Sequence, residues 1–81
     1  MIFILGDTET TGVSSDDKVC EVALMQIDED FNVINQSCSL INPGKPIHYA
    51  ASAVNGITDA MVADAPTLEQ YMSDIGQPLL N

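Results

Sequence analysis

Two acidic residues follow an apolar run near the start of the chain. Asp7 and Glu9 lie two positions apart, directly after residues 2–5. If the backbone remains extended here, both carboxylates point to the same face of a strand, because side chains alternate along it. Carboxylates of this kind bind Mg²⁺ or Mn²⁺, commonly together with substrate phosphates. The spacing is therefore compatible with a divalent metal site, although a lone Asp-x-Glu pair also occurs in ordinary polar loops.

The residues around this pair could contact a nucleotide. Thr8, Thr10 and Thr11 offer backbone and hydroxyl donors, and Gly12 would let the chain turn away from the strand. The whole segment, an apolar strand followed by Asp7-Thr-Glu-Thr-Thr-Gly12, is far more specific than the spacing of the two acids alone.

Three segments of the first half are predicted as strands that position this pair. Residues 2–5 form a continuous apolar run, which is typical of a strand buried on both faces. Residues 19–27 form a second strand, and the more polar residues 33–41 form a third at an edge of the sheet. The short polar turn at residues 28–30 favours an antiparallel hairpin.

The second half of the chain is predicted to be helical. Residues 49–54 are rich in alanine and are compatible with a short helix. Thr67 and Gln70 form a capping box, in which each side chain bonds the other residue's backbone amide. Gly76 is expected to end the last helix and Pro78 to prevent its continuation. The fold class is therefore α/β, with three antiparallel strands followed by short helices.

Length and charge exclude several classes of protein. The 81 residues allow one small domain, and 12 acidic against 2 basic residues give a formal net charge of −10. This charge excludes a basic nucleic-acid clamp or a polybasic membrane patch built from this chain alone. A bound cation could still bridge clustered acids to phosphates. No apolar run approaches the roughly 20 residues of a membrane span, and no signal peptide is expected.

The cysteines indicate a reducing compartment. Cys20 and Cys38 lack the spacing of a redox or zinc motif and are too few for a disulfide framework. We expect both to be reduced thiols buried in strands of a cytoplasmic protein.

Two stretches of the chain resemble the DnaQ-like (DEDD) 3′–5′ exonuclease family. Asp7-Thr-Glu-Thr-Thr-Gly12, after its apolar strand, is similar to the first exonuclease motif of that family. A second similarity begins at Ile41-Asn-Pro-Gly44 and continues through Ala53-Val-Asn-Gly-Ile-Thr58 to Ala65-Pro66. Together they extend the resemblance from residue 2 to about residue 71.

The resemblance implies an RNase H-like fold and two-metal hydrolysis at the 3′ end of single-stranded DNA or RNA, in proofreading or trimming. It implies that Asp7 would bind both Mg²⁺ or Mn²⁺ ions and Glu9 one of them. The backbone around Thr8 and the side chain of Thr10 would lie along the terminal nucleotide. Asn55 stands where many relatives have a histidine that faces the substrate.

The family pattern also requires residues that this sequence does not show. Its second motif supplies an aspartate, and its third supplies a histidine or tyrosine base and a final aspartate. We therefore expect residues 1–81 to be the N-terminal portion of a single exonuclease domain, inactive alone and completed by the other half or a polymerase. The alternative is a non-catalytic, truncated exonuclease remnant that acts as a binding module. His48, the only histidine, is not expected to be the base.

Other acids have simpler interpretations. Glu21 interrupts the second strand and could support the metal site indirectly, but a solvated acid or a pair with Lys18 is the simpler interpretation. Asp16 and Asp17 are expected to lie in a solvated turn.

Overall fold

A computed structural model describes residues 1–80 and shows a three-stranded sheet followed by short helices. The strands are β1 (Ile2–Thr10), β2 (Val19–Asp28) and β3 (Val33–Leu40). The helices are α1 (Tyr49–Asn55), α2 (Asp59–Val62), α3 (Leu68–Tyr71) and α4 (Gln77–Leu80), with a π-helical turn at Met72–Gly76 before α4. No helix among residues 1–80 is long and apolar enough to cross a membrane.

The sheet is antiparallel in the order β1-β2-β3, which confirms the predicted hairpin and fold class. The turn between β2 and β3 is held by the Asp28 carboxylate, which accepts hydrogen bonds from the backbone amides of Asp30 and Asn32 at 2.9 Å each. β1 is longer than the apolar run at residues 2–5. It extends through Thr10, because its backbone pairs with β2 as far as Val19.

The apolar run of β1 is exposed in this chain, so the prediction that it is buried on both faces is wrong for residues 1–80. Ile2, Phe3, Ile4 and Leu5 are 58%, 43%, 42% and 52% exposed. The cause is that β1 lies at an edge of the sheet and that neither cluster of buried side chains includes its residues.

The buried side chains form two clusters, neither of which includes β1. Each joins the sheet to the segments that follow it, and the members are Cys20, Ile47, Ile57 and Val62 in one and Val22, Ile41 and Tyr71 in the other. Val22 lies opposite Thr8 in the register, so the cluster around Tyr71 covers the face of the sheet opposite Asp7. The face that carries Asp7 therefore remains open.

The two cysteines differ in exposure. Cys20 is fully buried as predicted, and this burial raises the pKa of its thiol. Cys38 is exposed, so the prediction of a buried thiol there is wrong. Cys38 pairs with Ala23 and lies on the open face of the sheet, which explains its exposure. Both thiols are free.

Local signals set most of the helix ends. The predicted capping box of Thr67 and Gln70 is present, with both reciprocal hydrogen bonds. The expected helix end at Gly76 is wrong, because the chain continues directly into α4. Pro78 is the second residue of α4, and proline is tolerated in the first turn of a helix, where its missing amide has no intrahelical partner.

We expect the purified 81-residue chain to self-associate through β1. Within residues 1–80 this strand has a neighbour on one side only, and its residues 2–5 carry no charge or proline that would discourage edge-to-edge pairing. Sedimentation velocity should show oligomers whose fraction rises with protein concentration. A monodisperse monomer with strongly protected amides at residues 2–5 would contradict this prediction.

Candidate metal and nucleotide site

Asp7 and Glu9 lie on one face of β1. The pairing of β1 with β2 is regular from Ile2 to Glu9 and shifts only between Glu9 and Thr10, so the strand remains extended through both acids. Asp7 is exposed and its Oδ1 accepts a hydrogen bond from the Thr8 amide at 2.9 Å. Glu9 is half-buried. Because alternate residues share a face, the two carboxylates point to the same side of β1.

A third carboxylate lies on this face. Glu21 of β2 is directly opposite Glu9, a position where like charges destabilise a sheet. The ion pairs within residues 1–80 involve neither of these residues nor Asp7, and the suggested pair of Glu21 with Lys18 is not formed. The open face therefore carries negative charge without a basic side chain to neutralise it.

The donor set fits a partial metal site. Two hard carboxylates on one face suit Mg²⁺ or Mn²⁺, which are often held by one or two carboxylates with water and substrate phosphates completing the shell. In the part of the chain that the structure describes, no group of three acidic, histidine or cysteine side chains is placed to hold an ion. Asp7 and Glu9 can therefore supply only part of a two-metal site.

Each residue of this acidic pair lines a separate depression. A cleft of about 600 Å³ lies between β1 and α1, and its lining includes Glu9, Thr10, Gly12 and Asn55. A shallower groove of about 510 Å³ crosses the open face of the sheet and includes Asp7. An ion held by both carboxylates would therefore lie between the cleft and the groove.

The cleft brings together two of the three predicted substrate-binding residues. The Thr10 hydroxyl donates to the Gly12 carbonyl at 2.7 Å, and Asn55 Nδ2 donates to the Thr10 carbonyl at 3.3 Å. Asn55 Oδ1 accepts from the Ile57 amide at 2.9 Å, so its amide group already joins α1 to β1. Thr8 does not line this cleft, and its side chain points to the face of β1 opposite Asp7 and Glu9.

His48 acts as the N-cap of α1. Its Nδ1 accepts a hydrogen bond from the Ala50 amide at 3.1 Å, and its own amide donates to the Thr11 carbonyl at 2.8 Å. The side chain borders the cleft, and its ring stacks on that of Tyr49 with 4.6 Å between centroids.

The sequence interpretation missed the role of Asp17. Asp16 is solvated as expected, with 82% of its side chain exposed, but the Asp17 side chain is only 13% exposed. Its Oδ1 accepts from the hydroxyl of the fully buried Thr11 at 2.6 Å and pairs with Lys45 Nζ at 3.1 Å. A threonine six positions before an aspartate is too common a pattern to indicate this contact from the sequence.

These contacts predict a pH dependence of stability. The hydrogen bond from Thr11, followed by those from Ser14 and Lys45, holds the pKa of the Asp17 carboxyl well below its ordinary value of 3.8. As the pH falls through the ordinary value, this carboxyl therefore takes up a proton in the unfolded chain and stays ionised in the folded chain. The stabilisation is present above about pH 4 and is lost as the pH falls towards the folded pKa.

The measurement is urea unfolding from about pH 7 down to about pH 2.5, for the original chain and for Asp17→Asn. The midpoint of the variant should be lower at neutral pH, and the difference should narrow below about pH 4. Protonation of the other acidic groups as the pH falls affects both proteins almost equally. A difference that stays constant across the range would contradict the role of the ionised Asp17.

Comparison with known proteins identifies the family. Residues 4–79 match the family model RNase_T, described as Exonuclease. The chain is 40% identical over 73 residues to the DNA polymerase III subunit epsilon-like protein of Rhodobacter capsulatus, which covers 86% of this chain and 10% of that protein. It is 38% identical over 66 residues to Exodeoxyribonuclease 10 of Escherichia coli K12, which covers 82% of this chain and 29% of that protein.

A solved structure agrees with these sequences. Exonuclease X in complex with 5′ overhanging duplex DNA has a TM-score of 0.76 and 33% sequence identity, over 86% of this chain and 40% of that one. The chain thus spans between a tenth and two-fifths of the length of the relatives described here. The solved relatives are exonucleases of RNase H-like fold, in agreement with the sheet and helices seen here. Because the family model covers nearly all of its residues, this chain belongs to the RNase_T family of DnaQ-like exonucleases.

Proposed function

We propose that this chain provides the first metal-binding part of a 3′–5′ exonuclease that hydrolyses single-stranded DNA or RNA with two Mg²⁺ or Mn²⁺ ions. The observation that carries the proposal is the placement of Asp7 and Glu9 on one open face of β1, with no ion pair to neutralise them in residues 1–80. The adjoining cleft has room for part of a nucleotide. The membership in an exonuclease family supports the same conclusion.

Each residue would have a distinct role. Asp7 would bind both ions and Glu9 one of them. When bound, the ions would activate a water molecule and stabilise the charge that develops on the phosphate. The Thr10 side chain, the Thr8 backbone and Asn55 would border the terminal nucleotide. Since the Asn55 amide already bonds two backbone groups, its contact with the substrate would be secondary to holding α1 beside β1.

The ligand count indicates that the site is shared. Mg²⁺ keeps several waters and is held weakly by two carboxylates alone, so two ions require further oxygen ligands. We propose that residues 1–81 are the N-terminal portion of one exonuclease domain and act with the rest of such a domain or with a polymerase. A single-stranded 3′ end would be the substrate, and a cytoplasmic location would suit the free thiols.

The test uses a chimaera in which residues 1–80 replace the matching segment of Exodeoxyribonuclease 10. With Mg²⁺ and an oligodeoxynucleotide labelled at its 5′ end, the product ladder should shorten one nucleotide at a time, and EDTA should abolish the reaction. The same oligonucleotide labelled at its 3′ end should release labelled mononucleotide first. Initial release from the 5′ end, or full activity in EDTA, would refute the proposal.

The exposed apolar run of β1 favours a second candidate, a non-catalytic binding module. The 81-residue chain alone distinguishes the two and is also the control for the chimaera. Under the first proposal the chain alone releases no mononucleotide, whereas the chimaera does. If the chimaera folds and binds Mn²⁺ but releases none, the binding module becomes the better interpretation.

A further inference from the structure

The Asp17 carboxylate connects three segments that surround the cleft. Its Oδ1 accepts from the Thr11 hydroxyl, directly after β1, at 2.6 Å. Its Oδ2 accepts from the amide and the hydroxyl of Ser14, in the following loop, at 2.9 Å each. Lys45 Nζ, from the segment after β3, lies 3.1 Å from Oδ1. One side chain thus fixes the strand end, the loop and a distant segment relative to each other.

The same carboxylate packs against the backbone of Gly12. A Cβ atom built on Gly12 would come within 3.0 Å of Asp17 Oδ1 and closer still to the other carboxylate atoms. A side chain at position 12 would therefore displace the Asp17 carboxylate, so space and not backbone conformation restricts this position. The Gly12 carbonyl in turn accepts from the Thr10 hydroxyl, so the position of Asp17 affects a group that borders the cleft.

We propose that Asp17 is a positioning residue for the terminal nucleotide, an inference that rests on the proposed exonuclease function. It holds Gly12 and Ser14, which form one wall of the cleft beside Glu9, and it orients the Thr10 hydroxyl through Gly12. Among the described residues, Asp17 makes no hydrogen bond or ion pair with Asp7 or Glu9, although it lines the same cleft as Glu9. It therefore governs how tightly the 3′ end is held and leaves the metal chemistry unchanged.

The lowered pKa of Asp17 agrees with this role, because the charged form is the one that its partners stabilise. An asparagine would keep an acceptor for Thr11 but would direct an amide donor at the Ser14 amide, which is itself a donor. Both the charge and the two equivalent oxygens of the carboxylate are thus used.

The first test measures kcat and KM of the active chimaera on a single-stranded oligodeoxynucleotide. Asp17→Ala should raise KM about tenfold, as expected for losing hydrogen bonds to a charged group, and change kcat less than about threefold. Asp30→Ala is the matched control and should leave both constants unchanged, because Asp30 is exposed in the turn after β2 and does not line the cleft. An unchanged KM for Asp17→Ala, or a fall in kcat alone, would overturn the proposal.

Gly12→Ala provides an independent variant. Its methyl group should displace the Asp17 carboxylate and raise KM in the same way. The double variant with Asp17→Ala should be no worse than either single variant, because removing the carboxylate makes room for the methyl group. Multiplicative losses of binding would show that the two residues act separately and would contradict the proposal.

The second test needs no catalytic activity and uses the 81-residue chain. Asp17→Ala should speed amide hydrogen exchange at Thr11 and Lys18 about tenfold. The Thr11 amide donates to the Lys18 carbonyl and the Lys18 amide donates to the Thr11 hydroxyl, which Asp17 holds in place. Exchange in β3 should stay within about twofold. Equal acceleration everywhere, or none, would refute a local positioning role. Failure of the exonuclease proposal is recognised separately, by an inactive chimaera or by full activity after Asp7→Asn.

Discussion

Replacing Asp7 with asparagine or Glu9 with glutamine should lower kcat of the chimaeric exonuclease by about a hundredfold or more. Each change removes one negative charge from the face of β1 that would hold the ions. It therefore weakens the binding of an ion whose charge is needed most in the transition state. Losses of this size are typical when a group that stabilises developing charge is removed. Steady-state rates on a 5′-labelled oligonucleotide, measured over a range of Mn²⁺ concentrations, provide the measurement.

Glu29→Gln is the matched control for Glu9→Gln. Glu29 lies in the turn after β2, is 69% exposed and pairs only with the N-terminal amine among the described residues, so the same chemical change should have no effect there. High Mn²⁺ should partly restore the Glu9 variant, since a weakened site still fills at higher ion concentration. Activity within a few-fold of the parent after both acidic changes would remove Asp7 and Glu9 from the site.

Tyr71→Ala should destabilise the chain by about 3–5 kcal/mol, the usual cost of truncating a large buried aromatic side chain. Tyr71 is 1% exposed and packs with Val22 and Ile41, where it joins α3 to the sheet. A domain this small has a total stability of the same order, so most of the variant should be unfolded at room temperature. Far-ultraviolet circular dichroism during urea titration measures the loss.

Tyr71→Phe separates packing from hydrogen bonding. It keeps the ring and removes only the hydroxyl, which donates to Ser37 Oγ at 2.8 Å, so it should cost about 1 kcal/mol. If Tyr71→Ala unfolds at the same urea concentration as the original chain, then α3 does not hold the sheet, and the cluster around Tyr71 contributes little to stability.

The features that the sequence predicted well depend on neighbours in the chain. The hairpin turn at Asp28 and the capping box at Thr67 are each closed by residues within a few positions, so their residue types are sufficient evidence. The Asp7 and Glu9 spacing belongs to the same class, because an extended backbone alone puts both on one face. The membership in the exonuclease family was likewise visible from short motifs.

The features that it missed depend on contacts between distant segments. The exposure of Cys38 and of residues 2–5 follows from the strand order and from which face the helices cover. The role of Asp17 requires Lys45, which is 28 positions away. The apposition of Glu9 and Glu21 depends on the register of β1 against β2, which no pattern within either strand alone indicates.

That apposition links folding to ion binding. With no ion between them, Glu9 and Glu21 repel each other, so the pairing of β1 with β2 is weakest at the end of the strand that carries the site. An ion that binds only the paired strands would shift the folding equilibrium towards them, in proportion to the logarithm of its concentration above its dissociation constant. Divalent cations would thus stabilise this domain at one site, and the effect would saturate once that site is filled. A chelator would first loosen the pairing of β1 with β2 and only then unfold the domain.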